Sequence, residues 1–179
     1  MSFFLQQHWY GRQQLFTQHV PHEVRDWLFD SSSLTARLIR TCPGRFRVEL
    51  LSQQVCQPGL DESRVLNIRH GRSALIRQVR LYCGDTAVVY ARTVIPITTL
   101  QGAQRRYANL GSRPLGAMLF ADRTMQRDEV MVTKLMAGDI LYKLTSVKKG
   151  NIWGRRSIFR VGGKPLLVSE YYLPALFEK

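Results

Sequence analysis

The chain has 179 residues and carries 26 Lys plus Arg against 13 Asp plus Glu, a formal net charge of +13. Hydrophobic content of 45% and charged content of 22% are ordinary globular values, which exclude an acidic disordered tail, a collagen-like chain and a coiled-coil rod. Length implies a single domain over residues 1–179, able to bury roughly 70% of the surface its unfolded form exposes. Twenty of the 26 cations are Arg, the planar and bidentate binder of carboxylates and phosphates.

The N-terminal run MSFFLQQHWYGRQQLF has no basic n-region, no apolar h-region and no small-residue cleavage site. No stretch approaches 18 uninterrupted apolar residues. The expectation is a cytoplasmic protein. Cys42, Cys56 and Cys83 are odd in number and widely spaced, without a C-x-x-C pair, so neither a disulfide framework nor a zinc site is expected. His19 and His22 are separated by Pro21 and lack further ligand-type neighbours, which reads as a solvated helix entry rather than a metal site.

In chain order, Pro21 opens a helix to about Phe29, with Val24, Trp27 and Leu28 at helical spacing. Asp30 and Ser31 to Ser33 break it and supply the cap of a second short helix through Leu34, Leu38 and Ile39, which Pro43-Gly44 ends. Arg45 to Ser52 alternates as a half-buried strand, with Phe46, Val48 and Leu50 on one face. Ser73 to Cys83 and Ala87 to Ile95 form two longer strands around a Gly84-Asp85 turn. A helix fits Thr99 to Leu110 with Gly111 as its stop, and Pro114 to Phe120 forms one more helical piece. Arg127 to Leu135, Ile152 to Val161 and Lys164 to Leu173 are strands, the last two joined at Gly162-Gly163. Strands joined by tight hairpins are antiparallel. The fold class is therefore α+β: a single antiparallel β-sheet with helices packed on one side.

Three charges interrupt otherwise apolar strand faces. Arg77 lies among Leu75, Val79, Leu81 and Cys83; Arg92 among Val88, Tyr90 and Val94; Glu170 among Leu166, Val168 and Tyr172. A buried charge must be paired or serve a ligand. One reading is a structural ion pair of Glu170 with Arg77 or Arg92, and a second is a local bulge that re-aims one side chain. The functional reading is a pocket between sheet and helices, with two Arg facing a small dianion and one carboxylate accepting a hydrogen bond or a proton. No G-x-S-x-G, P-loop, G-x-G-x-x-G or H-E-x-x-H motif offers a competing chemistry. Cys83 reads as a small core residue, since no His is near it in sequence.

Longer patterns add to this reading. Trp153-Gly154-Arg155-Arg156-Ser157, the run Gly163 to Glu170 and Tyr172-Leu173-Pro174 together resemble the C-terminal signature of the chorismate pyruvate-lyase family. Ala91 to Pro96, Pro114-Leu115-Gly116 with Leu119-Phe120, Asp26-Trp27-Leu28 and Ser33-Leu34-Thr35 resemble further pieces of it, from about residue 20 to residue 174. The resemblance implies helical flaps over an enclosed pocket, and cleavage of chorismate into 4-hydroxybenzoate and pyruvate for ubiquinone synthesis, without cofactor or metal. It implies Arg77 at the product carboxylate, a backbone contact at Leu115, Glu170 at the ring hydroxyl, Arg92 as second pocket arginine and a main-chain flap contact at Leu34. Glu170 and Arg92 are the expected catalytic pair. Slow product release and product inhibition follow from a buried, charge-held product.

Two rival readings stand beside this one. A non-catalytic sensing domain of the same fold class would follow a DNA-binding domain, for which about 20 preceding residues leave no room. A nucleic-acid binder is suggested by Arg105-Arg106, Lys148-Lys149 and Arg155-Arg156, but no RNA- or DNA-binding motif accompanies these pairs. The expected partners are a small-molecule substrate and no nucleic acid, with at most weak binding to an anionic membrane, and the expected state is a monomer.

Overall fold

The computed structural model describes residues 7–17, 20–69, 71–136, 139, 142, 143, 145, 147 and 150–178. A 3₁₀ helix at Arg12–Thr17 comes first, followed by α1 (His22–Leu28) and α2 (Leu34–Thr41). They are followed by β1 (Phe46–Cys56), α3 (Leu60–Val65), β2 (Ala74–Cys83) and β3 (Thr86–Pro96). After a 3₁₀ helix at Gly102–Asn109 come α4 (Leu115–Ala121), β4 (Gln126–Arg127), β5 (Met131–Leu135), β6 (Ile152–Val161) and β7 (Lys164–Tyr172). The strands form one antiparallel seven-stranded sheet in the order β1-β2-β3-β7-β6-β4, with β5 also pairing β6.

Local chemistry accounts for most boundaries. Ser33 caps α2, its hydroxyl accepting from the Ala36 N–H at 3.3 Å. Both glycines of the β6–β7 hairpin have positive φ, 56° and 74°, as a two-residue I′ turn requires. Three differences from the sequence reading are physical. The expected helix at residues 99–110 is a 3₁₀ segment over Gly102–Asn109. The expected strand at 127–135 splits into β4 and β5, which pair successive stretches of β6. Helix α3 is absent from the sequence expectation; it is six residues long and buries none of them, so it has no apolar period to read.

The sheet has two covered faces. On the front, α1 and α2 pack Val24, Trp27, Leu28, Leu34 and Leu38 against Val79, Leu81, Val89 and Tyr172. Helix α4 packs Leu115 and Leu119 against Leu75, Ile95, Phe159 and Val168. These are the expected helices on one side. On the back, α3 and the loop after it lie over Ile76, Val94 and Leu167, with Val65, Leu66 and Ile68 in the cluster.

The cysteine expectation is corrected. Cys42, at the C-terminal end of α2, and Cys83, at the end of β2, form a disulfide across 41 residues with Cα atoms 5.5 Å apart. Sequence spacing carried no sign of it, because only the docking of α2 on the sheet brings the two chain positions together. Cys56 is a free thiol. His19 lies outside the described residues; His22 is exposed, with Asp26 at 3.6 Å. Lys148 and Lys149 also lie outside them.

Candidate active site

A cavity of about 50 Å³ lies between the front of the sheet and the helices. Its floor is Arg77, Val79 and Leu81 of β2, Ala91 and Thr93 of β3, Val168 and Glu170 of β7, and Arg155 and Phe159 of β6. Leu34 and Thr35 of α2 and Leu115, Gly116 and Leu119 of α4 form the cover, and Arg127 of β4 closes one side. The space has room for water but is smaller than the roughly 150 Å³ that admits a bare benzene ring, so binding of a substituted ring requires the cover to lift.

Sheet register decides who shares this cavity. Cross-strand pairing aligns Val79, Ala91, Glu170 and Arg155 in one row over β2, β3, β7 and β6. The next row on the same face runs through Arg77, Thr93, Val168 and Ser157. Of the residues expected in the pocket, Leu34, Arg77, Leu115 and Glu170 therefore converge. Arg92 does not. It pairs with Gln78 and Ser169, one residue out of step with Arg77, so its side chain leaves the opposite face. There its Nε and Nη2 donate to the two carboxylate oxygens of Glu62 at 2.6 and 2.9 Å. Burial lowers the Arg92 pKa, but Glu62, through hydrogen bonds and charge, more than reverses this and holds it raised. The expectation of Arg92 as a pocket and catalytic residue is corrected on this geometry.

The cavity's arginines differ in how they are satisfied. Arg77 is 2% exposed. Its Nη2 donates to the carbonyls of Gly111 and Arg113 at 2.9 and 3.0 Å. Its Nε is buried and has no acceptor among the described residues. Burial without a carboxylate partner lowers its pKa to about 10. A buried donor left without a partner costs about 1–3 kcal/mol, which marks a place for a ligand's oxygen. Arg155 is engaged at Nε and Nη1: Nε donates to Glu170 Oε2 at 2.6 Å. Its Nη1 donates to the carbonyls of Trp27 and Asp30 at 2.9 and 2.7 Å, and more weakly to Leu28. Those carbonyls lie at and just beyond the end of α1, where helices leave acceptors unsatisfied, so Arg155 fastens this segment to the floor. Burial pulls the Arg155 pKa down, but the charge of Glu170 and Tyr172 and the hydrogen bond donated to Glu170 raise it overall.

Arg127 donates from Nε to Ser157 Oγ at 3.0 Å and from Nη1 to the Asp30 carbonyl at 3.3 Å. Its guanidinium stands 5.2 Å from the Phe159 ring centre. No carboxylate lies within ion-pair distance of it among the described residues. Burial and then the neighbouring Arg155 lower its pKa. Arg155 and Arg127 are not among the residues the sequence places in the pocket. Arg155 had a legible signal, since β6 places it in the row Trp153, Ser157, Phe159, Val161. Arg127 had none, because a two-residue strand has no period.

The cavity thus holds three guanidiniums and one carboxylate, a surplus of two positive charges facing apolar walls. Among the described residues, no group of three His, Cys, Asp or Glu could hold a metal ion, and no helix is long and apolar enough to cross a membrane.

The chorismate lyase family matches residues 5–179 of this chain. A protein of Methylococcus capsulatus named probable chorismate pyruvate-lyase is 41% identical over 157 residues, covering 87% of this chain and 97% of that protein. One of the same name from Alcanivorax borkumensis is 44% identical over 160 residues, covering 89% and 74%. Among solved structures, a GntR-family transcriptional regulator from Bacillus cereus is similar in fold, with TM-score 0.57 and 11% identity over 76% of this chain and 96% of that one. The effector domain of PhnF from Mycobacterium smegmatis gives TM-score 0.52 at 11% identity, covering 73% and 82%. At such identities the shared property is the fold alone.

Proposed function

This chain belongs to the chorismate lyase family, and we propose from that premise that it cleaves chorismate into 4-hydroxybenzoate and pyruvate in the cavity under α2 and α4. The observation that carries the proposal is the convergence of Leu34, Arg77, Leu115 and Glu170 on one cavity, with the Arg77 Nε–H lacking an acceptor among the described residues. In the reaction the ring–ether C–O bond breaks and its electron pair stays on the enolpyruvyl oxygen. The neighbouring ring carbon, which bears the hydroxyl, loses its proton, and the C–H pair closes the aromatic system. The released enolate takes up a proton at its methylene carbon and becomes pyruvate. Aromatisation supplies the driving force, so the protein's work is to bind, orient and exclude water.

Arg77 takes the ring carboxylate, since its Nε–H and the cationic fork fit a bidentate oxygen pair. Glu170 accepts from the ring hydroxyl at the far end, held in place by Arg155. Leu115 and Leu34 offer backbone contacts from the two covers. Protein groups alone carry this chemistry, with no cofactor. Retention of the product by buried charges makes its release slow and 4-hydroxybenzoate an inhibitor. The protein works as a cytoplasmic monomer at the start of ubiquinone synthesis, independent of nucleic acid, its surface charge allowing weak contact with anionic membranes. The test is incubation with chorismate and assay for pyruvate and 4-hydroxybenzoate. Equal yields of both support the reading; binding without turnover makes it a sensing domain instead.

A further inference from the structure

We propose that Arg127 is the second carboxylate anchor of the site and binds the enolpyruvyl carboxylate; the inference rests on the lyase reading. Chorismate carries one carboxylate on the ring and one on the enolpyruvyl ether. The ether is attached beside the hydroxyl-bearing carbon, so with the ring carboxylate at Arg77 and the hydroxyl at Glu170, the second carboxylate falls on the Glu170 side of the cavity. Two lining guanidiniums stand there. Arg155 is taken, its Nε by Glu170 and its Nη1 by three flap carbonyls. Arg127 is bonded only to a hydroxyl and a carbonyl, with no carboxylate within ion-pair distance among the described residues. It lies beside the Arg155–Glu170 pair, close enough to feel both charges.

The placement also fits the scale of the substrate. Arg77 on β2 and Arg127 on β4 stand at the two sides of the strands β3, β7 and β6. Four inter-strand steps of about 4.8 Å put their backbones roughly 19 Å apart. Two arginine side chains leaning inward then leave room for one substituted six-membered ring. Charge balance agrees: Arg155 and Glu170 cancel, and Arg77 and Arg127 together match a dianion. As the C–O bond breaks, negative charge grows on the enolpyruvyl oxygen next to the carboxylate that Arg127 holds, so its contribution rises towards the transition state.

Arg127→Met keeps the stem over Phe159 and removes the charge. The expected result is a fall of about 100-fold in kcat/KM for chorismate, while the Kd of 4-hydroxybenzoate, which lacks the second carboxylate, stays within about threefold of wild type. Arg77→Met loses both. If Arg127→Met folds and keeps wild-type kcat/KM, or loses product affinity as severely as turnover, Arg127 only latches the flap and the proposal falls. Should that variant fail to fold, Arg127→Lys and a ligand pair decide the matter. The wild type should bind 3-(1-carboxyethoxy)-4-hydroxybenzoate at least tenfold tighter than its side-chain carboxamide, and Arg127→Lys should shrink that preference. An equal preference in both proteins overturns the assignment. A wild type that neither binds 4-hydroxybenzoate nor releases pyruvate refutes the lyase reading itself, whereas an active wild type with an indifferent Arg127 refutes only this inference.

Discussion

The two faces of the sheet bury the same residue type to opposite ends. Behind the sheet, Arg92 and Arg156 are each matched by an acid from one short helix: Glu62 and Asp61 of α3. In front, Arg155 alone is matched, by Glu170, while Arg77 and Arg127 are left to carbonyls and a hydroxyl. A buried guanidinium neutralised by the chain's own carboxylate is a structural element. One held only by neutral acceptors keeps its charge available, at a cost in folding stability that a bound anion repays. The covers differ as well. The front cover α2 is tied covalently through Cys42–Cys83, and the back cover α3 is held by ion pairs.

The comparison breaks most heavily at the back. Glu62→Ala removes both hydrogen bonds to Arg92 and the one its carboxylate accepts from the Gly59 N–H at 2.8 Å. Breaking a buried pair costs about 3–5 kcal/mol. At about 2–4 °C per kcal/mol for a domain of this size, thermal unfolding should shift down by roughly 6–20 °C, with affinity for 4-hydroxybenzoate near wild type at low temperature. Equal losses of stability and affinity would erase the distinction between the faces.

Arg77→Ala tests the front. Loss of a bidentate charge-assisted contact of about 3 kcal/mol predicts at least a 100-fold fall in kcat/KM for chorismate and in product affinity, while thermal stability holds or rises. The same residue sets a pH limit. Its pKa, lowered by burial to about 10, means the guanidinium is charged below that pH and neutral above it. KM for chorismate should stay flat to about pH 9 and climb beyond pH 10, a rise that Arg77→Ala abolishes.

The covers give smaller effects. Cys42→Ser with Cys83→Ser should cost about 2–4 kcal/mol of stability in an oxidising buffer, and nothing relative to wild type under full reduction. At Gly116, an added Cβ would stand 2.8 Å from Thr35 Oγ1 and 3.4 Å from Ser33 Oγ. Gly116→Ala should therefore prise α4 from α2 and weaken product retention severalfold, about 1 kcal/mol. Faster release of 4-hydroxybenzoate in stopped flow would show it; unchanged release would mean the two covers move independently of that contact.

Much of the fold was legible because its signals are local. Alternation marked β2, β3, β6 and β7, the glycine pair marked the last hairpin, and Ser33 marked the start of α2. Arg77 and Glu170 stood out as charges in apolar rows, and the longer motifs pointed to Leu34 and Leu115. Arg92 stood out by the same rule and belongs to the other face. Strands β2, β3 and β7 carry apolar residues on both sides, so alternation says which residues of one strand share a face, never which face of the next strand they join. A shift of one residue between Arg77 and Arg92 in the β2–β3 ladder decides that.

What the sequence determined by itself was periodicity and turn chemistry, hence an antiparallel α+β domain with charges in apolar strand faces that had to be answered. Only the tertiary structure decided which charges answer one another. Pairing between strands set Glu170 against Arg155, docking of α3 supplied Glu62 to Arg92, and docking of α2 joined Cys42 to Cys83. Each of these is a contact between residues far apart in the chain, governed by packing and register rather than by any neighbour in sequence.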